Sequence, residues 1–147
     1  MPVKIVKQYS VFLPNVPGSL SKFIQLFADD GVNIIGIASE IRDDTGIVRI
    51  AVDTDSKISY IVTKAGFTTI ETPMISVELA DKPGEFFKLT KILAEHSINI
   101  TTVYGTSIGA EKTGRILLNV SDPVKTLDIL NKELANNGTV SAEQSGV

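Results

Sequence analysis

The sequence contains no cysteine, which excludes disulfide frameworks, thiolate metal sites and cysteine nucleophiles together and fits a reducing compartment. It also lacks any run of basic residues. Fourteen Lys and Arg against seventeen Asp and Glu leave a net charge of −3, with no stretch able to neutralise a series of phosphates. Nucleic acid is therefore not an expected partner. No apolar run approaches the roughly 20 residues needed to span a bilayer, so no membrane partner is expected either. Met1 to Leu13 mixes Lys4, Lys7, Gln8 and Ser10 into its apolar residues and lacks the continuous apolar core of a signal peptide, which makes the cytoplasm the expected location.

Catalytic signals are equally thin. Histidine occurs once, as His96, at the expected C-terminal end of a helix, where a cation meets the helix dipole favourably. No Gly-x-Ser-x-Gly elbow, His-Glu-x-x-His pair or phosphate-binding Gly-Lys-Ser/Thr loop occurs, so no catalytic residue is assigned and an enzyme is not expected. Asp29-Asp30 and Asp43-Asp44 read as helix-end and turn residues, and neither a metal nor a cofactor is expected.

What is present is an ordinary globular composition, 43% hydrophobic and 21% charged, arranged as an internal repeat. An offset of 66 residues lays Ser10-Val11 on Ser76-Val77, Leu13 on Leu79, Pro17-Gly18 on Pro83-Gly84 and Asn33-Ile34 on Asn99-Ile100. After a two-residue insertion the offset is 68, and Thr45-Gly46 falls on Thr113-Gly114, Val52 on Val120 and Lys57 on Lys125. The expected domains are 1–72 and 73–147, joined at Thr72-Pro73 by a link too short to be flexible. Halves of about 70 residues are marginal alone, which predicts that they share a sheet or an interface.

Each copy shows the same succession. Tyr9, Val11 and Leu13, with Val77 and Leu79, alternate as half-buried first strands. Leu20, Phe23, Ile24 and Phe27, and Phe86, Leu89 and Leu93, follow helical spacing after Pro-Gly. Gly31 suits the stop of the first helix, and Ser97 stands in its place in the second copy as a weaker stop. Val32–Ile37 and Ile98–Val103 predict second strands, and the stripes Val48, Ile50, Val52 and Ile116, Leu118, Val120 predict third strands. Ile58, Ile61, Val62 and Ala65 predict a second helix. Its counterpart starts at Ser121-Asp122-Pro123 and carries Leu127, Leu130 and Leu134. Phe67–Glu71 predicts a last strand, with Gly138–Glu143 as its match. The fold class is α+β: two tandem ferredoxin-like βαββαβ units, antiparallel sheets with helices on one face. That architecture hosts unrelated functions. Its metal-handling occupants need paired cysteines and its RNA-binding occupants need exposed aromatics on basic strands, and neither pattern occurs here.

The informative loop is Asn15-Val16-Pro17-Gly18-Ser19-Leu20, with its counterpart Asp81-Lys82-Pro83-Gly84-Glu85-Phe86. With proline as the first helical residue, the cap falls on Val16 or Lys82, which have no side-chain oxygen for the first-turn amides. A ligand carboxylate would satisfy those amides at the positive end of the helix. Asn15 and Asp81 could accept hydrogen bonds from an ammonium group, and the two groups together describe an α-amino acid. The alternative is structural: an Asx-turn at Asn15 or Asp81, or a helix that starts later and is capped by Ser19. Asn33 and Asn99 carry the same two readings, bonding a neighbouring loop or facing a ligand.

On these residues the chain resembles the ACT family of amino-acid-sensing domains, in two tandem copies. The motif is a strand ending in Asn15-Val16-Pro17-Gly18 or Asp81-Lys82-Pro83-Gly84, an amphipathic helix, and Gly31-Val32-Asn33-Ile34 or Ser97-Ile98-Asn99-Ile100 leading into the next strand. The resemblance implies a regulatory module that binds an amino acid at the interface between paired domains, forms a homodimer, and modulates a partner such as a metabolic enzyme in trans. The alternative is a ligand-independent regulatory subunit or protein-interaction module. The walls it implies are Asn15, Pro17, Gly18, Ser19 and Leu20 in one copy and Asp81, Pro83, Gly84, Glu85 and Phe86 in the other. Asn33-Ile34 and Asn99-Ile100 would come from the strand opposite. The copies differ at Asn15/Asp81 and Ser19/Glu85, and the expected repulsion of a carboxylate by Glu85 favours the first loop.

Overall fold

The computed structural model describes residues 3–53, 57–108 and 113–145. In chain order the elements are β1 (Val3–Pro14), α1 (Ser19–Asp29), β2 (Ile34–Arg42), β3 (Thr45–Val52), α2 (Ile58–Lys64) and β4 (Thr69–Ala80), then α3 (Glu85–Glu95), β5 (Ile100–Ile108), β6 (Thr113–Val120) and α4 (Pro123–Ser145). The chain divides into two compact units. Val6–Pro73 forms the first; the chain from Met74 onward, with Val3–Ile5, forms the second.

In the first unit the order β2-β3-β1 continues into the opening residues of β4, the strand order of a ferredoxin-like unit. Alternation puts Tyr9, Val11, Leu13, Val48, Ile50 and Val52 on one face, where Phe23 and Phe27 of α1 and Ile58 and Val62 of α2 cover them. Ring edges interlock there. Phe23 lies 5.4 Å from Phe27 and 5.1 Å from Phe67, both edge-to-face, a favoured arrangement of the ring quadrupoles. Lys7 Nζ meets Glu71 Oε1 at 3.6 Å.

The second unit repeats this plan with β5-β6-β4 and a core of Ile75, Val77, Leu79, Leu89, Leu93, Leu118, Val120 and Leu130. Both copies share an irregularity at the start of the second strand, at Ile34/Gly36 and at Ile100/Thr102. They differ at the fourth strand. Gly138–Glu143, expected as that strand, lies within α4, which runs to Ser145. The place beside β4 is held by the start of β1: the two are hydrogen-bonded neighbours, and Val3 packs on the second core. With that edge already paired, the C-terminal segment has no vacant ladder to join, so the helix continues. At its start Asp122 Oδ1 accepts the Lys125 N–H at 3.1 Å, the capping expected of Ser121-Asp122-Pro123.

The first helices end alike on different residues. Gly31, at φ 68, donates to the Ala28 carbonyl, and Val32 donates to that of Phe27, which satisfies carbonyls left open at the helix end. In the second copy Ser97 adopts the same left-handed conformation at φ 58, and Ile98 donates to the Leu93 carbonyl. A β-carbon there costs about 1–2 kcal/mol, part of which glycine returns as unfolded-chain entropy. Ser97→Gly is therefore expected to stabilise the chain by roughly 0.5–1 kcal/mol, read as a higher denaturation midpoint at unchanged slope. A lower midpoint would contradict it.

Candidate functional site

The first helices do not start at proline. They begin at Ser19 and Glu85, and the capping residues are Gly18 at φ 89 and Gly84 at φ 90, neither giving a side-chain cap. Only glycine reaches that conformation without steric cost. This corrects the expectation that Val16 and Lys82 stand at the cap. Its consequence holds for a different reason, because a glycine has no side chain with which to cap.

The loop backbone is otherwise well tied. Asn15 donates to the Asp44 carbonyl at 2.8 Å, Ser19 to Val16 at 3.3 Å and Lys22 to Gly18 at 3.0 Å, with matching bonds from Glu85 to Lys82 and from Lys88 to Gly84. Among the described residues nothing accepts from the N–H groups of Leu20 and Ser21, or of Phe86 and Phe87. The structural alternatives do not remove them. An Asx-turn from Asn15 needs the N–H two residues on, and Pro17 has none. Ser19 is itself the first helical residue and makes no capping bond.

Each loop forms one wall of a cleft, and the two clefts are the same feature repeated. In the first unit Asn15, Val16, Ser19 and Leu20 face Ser39 and Ile41 of β2 and Gly46 and Val48 of β3, enclosing about 110 Å³. In the second, Asp81, Lys82, Glu85 and Phe86 face Gly105 and Thr106 of β5 and Gly114 and Ile116 of β6, enclosing about 360 Å³. The second volume is in the range of small-molecule sites. The first cleft has no charged residue in its lining. In the second, Glu85 Oε1 lies 3.2 Å from Lys88 Nζ and 3.9 Å from Lys82 Nζ, so two ammonium groups offset the charge expected to repel a carboxylate.

Of the opposite walls the sequence marks only Gly105, a glycine inside a strand that permits close approach or a strand irregularity; a further signal is the coincidence of Thr45-Gly46 with Thr113-Gly114 in the repeat. Gly105 is closely confined: a β-carbon there would lie 2.5 Å from Ile116 Cδ1 and 3.1 Å from the Arg115 carbonyl.

Asn33-Ile34 and Asn99-Ile100 lie elsewhere in their own units. Ile34 pairs with Val52, whereas the cleft stands where Leu13 and Ile41 pair with Gly46, about 20 Å away along β3 at roughly 3.4 Å per residue. Ile34 and Ile100 pack on the two cores. The Asn99 N–H donates to Ser121 Oγ at 3.2 Å, and the Asn99 carbonyl accepts from the Ser121 N–H at 3.0 Å.

His96 lies outside both clefts. Its Nδ1–H donates to the Ile92 carbonyl at 2.8 Å, which closes the C-terminal end of α3. Among the described residues no group of three or more His, Cys, Asp or Glu side chains is placed to hold a metal ion, and no helix is long and apolar enough to cross a membrane.

A profile of the ACT domain pair matches residues 4–137. The chain belongs to this family. The fold of this ACT pair is similar to the crystal structure of a Bacteroides thetaiotaomicron protein, with TM-score 0.79 and 21% identity over 89% of this chain and 90% of that one. It is also similar to the ligand-free regulatory subunit of aspartate kinase from Thermus thermophilus, with TM-score 0.66 and 18% identity over 90% and 96%. The regulatory subunit from Thermus flavus matches with TM-score 0.60 and 17% identity over the same shares. At such identities the likeness concerns the fold. No curated protein matches the ACT pair.

Proposed function

We propose that this ACT pair is a regulatory module that binds an amino acid at the clefts beside Asn15–Leu20 and Asp81–Phe86 and acts on a partner in trans. One observation carries the reading: the same cleft stands at the same uncapped helix start in both copies. Unpaired amides at the positive end of a helix suit a carboxylate, and Asn15 supplies an acceptor for an ammonium group. As sequence repeats the two binding modules span 1–72 and 73–147, with Val3–Ile5 exchanged into the second; they work in the cytoplasm and perform no chemistry themselves. Similarity to regulatory subunits of aspartate kinase supports a metabolic enzyme as the partner. Asn33 and Asn99, distant from the loop of their own unit, would reach a cleft only from a second copy of the chain, so the reading includes a homodimer, while Ile34 and Ile100 stay with their own cores. The ligand acts by favouring one arrangement over another through differential affinity.

A thermal-shift panel of the common amino acids tests this. A ligand at 100 times its Kd that binds only the folded state adds about 2.7 kcal/mol, and at least one amino acid is expected to raise the midpoint. Asn15→Ala should abolish the effect at the neutral first cleft. Flat midpoints with all of them at millimolar concentration would overturn the reading.

A further inference from the structure

The face of the first unit turned away from its helices carries a groove of about 370 Å³ lined by Phe12, Glu40, Arg42, Thr45, Ile47 and Arg49. Strand register sets its layout. Glu40, Ile47 and Phe12 form one row across β2, β3 and β1; Arg42 pairs with Thr45 on one side of that row, and Ala38, Arg49 and Ser10 form the row on the other. An apolar pair is thus flanked by two guanidinium groups. Phe12 is 65% exposed, although a strand face with no partner normally carries polar residues.

The repeat shows what is unusual here. In the second unit the counterparts of Phe12 and Ile47 are Glu78 and Arg115, which pair across the strands and meet at 3.2 Å, and the counterpart of Arg49 is Leu117, buried at 2% exposure. The second unit therefore sets an ion pair on this face where the first sets Phe12 against Ile47, and the arginine of the first unit stands one row further along, opposite Ser10. The chain has only three arginines, and two of them line this groove. Arg42 is held at one edge by Glu40 at 2.9 Å. Arg49 is half-buried and makes no ion pair with any described residue. A partly desolvated cation without an anion is a site that gains from receiving one.

We propose that this groove docks an extended segment of a partner protein in which two carboxylates flank an apolar side chain, in the order acid-x-apolar-x-acid. The spacing follows from the register. Thr45 and Arg49 stand four residues apart on β3, so the two arginine rows are about 13 Å apart, and an extended peptide covers the same distance in four residues. Alternate side chains of such a segment share one face, which brings the middle one onto Phe12 and Ile47. A second copy of this chain does not supply the segment. Its acid pairs at that spacing are Glu40 with Asp44, around Arg42, and Asp81 with Glu85, around Pro83, and the latter bends into α3. The surface is separate from the amino-acid clefts and is one through which a module acting in trans engages its target.

The probe is a synthetic heptapeptide with glutamates at the second and sixth positions, leucine at the fourth and threonine elsewhere, titrated into the full chain and followed by amide chemical shifts. Saturable shifts centred on Phe12, Ile47 and Arg49 are expected, weakening as salt is raised. Arg49→Gln is expected to weaken binding about threefold to fivefold, the scale of one exposed ion pair, and Phe12→Ser to weaken it through the loss of apolar contact with the middle side chain, both with the thermal midpoint and any amino-acid response retained. The same peptide with lysines for glutamates should not bind. No saturation at millimolar peptide, shifts confined to the clefts around Leu20 and Phe86, unchanged affinity in Arg49→Gln, or the same shifts with free glutamate would each overturn the proposal.

Discussion

A chain that begins at Val6 is expected to lose about 2–5 kcal/mol from its second unit while its first unit keeps its stability. The residues removed belong to the second unit, although Val3–Ile5 stand ahead of Met74 by 71 to 69 positions in sequence. They fill the ladder beside β4, and Val3 packs on its core. Each backbone hydrogen bond lost costs about 0.5–1.5 kcal/mol net, and uncovering part of a valine adds up to roughly 1 kcal/mol. Against a total stability of about 5–15 kcal/mol this is a large fraction. The edge exposed belongs to a strand whose Met74, Ile75, Ser76 and Val77 are all buried. Amide exchange resolves the two units: protection should fall in β4, β5 and β6 and persist in β2 and β3. Val3→Asp should act in the same direction. Equal protection in the truncated and full chains would refute the assignment. For the same reason a fragment starting at Met74 should fold poorly alone, whereas one ending at Pro73 retains every residue of its unit.

Phe23→Ala is expected to cost about 3–5 kcal/mol, the range for emptying a buried aromatic site. Phe23 has no exposed surface, and its ring is held between Phe27 and Phe67, contacts worth about 0.5–1.5 kcal/mol each beyond area burial. It is also a main attachment of α1 to the sheet, and the first turn of α1 supplies Ser19 and Leu20 to the first cleft. Loosening it should blunt any amino-acid response at that cleft more than at the second. The second copy has Leu89 at this position, also buried, where Leu89→Ala should cost about 2–5 kcal/mol. Denaturant titration at unchanged slope measures both. A loss below about 1 kcal/mol for Phe23→Ala would mean that α1 is anchored by other residues.

The elements were legible because their signals are local. Alternation at Tyr9, Val11 and Leu13 and helical spacing at Leu20, Phe23 and Phe27 describe faces that must be buried, and both sets appear in the first core or beside its cleft. The Pro17-Gly18 loop was legible as a place, but its capping geometry was not. A proline suits a first helical position, yet Gly18 takes the left-handed conformation and delays the helix to Ser19.

The repeat, the strand and helix faces and the Pro-Gly loops were determined by the sequence alone, since each rests on side-chain periodicity or on the backbone preferences of neighbouring residues. Tertiary structure decided whatever depended on residues far apart in the chain. It set Ser39, Ile41 and Gly46 against Asn15, and Gly105 and Gly114 against Asp81. It placed Asn33 and Asn99 at the opposite ends of their units from those clefts. It also gave the second unit its fourth strand from Val3–Ile5 rather than from Gly138–Glu143. A strand edge accepts whichever segment arrives with a free ladder and a matching apolar face, and no local pattern in Gly138–Glu143 records that Val3 is already there.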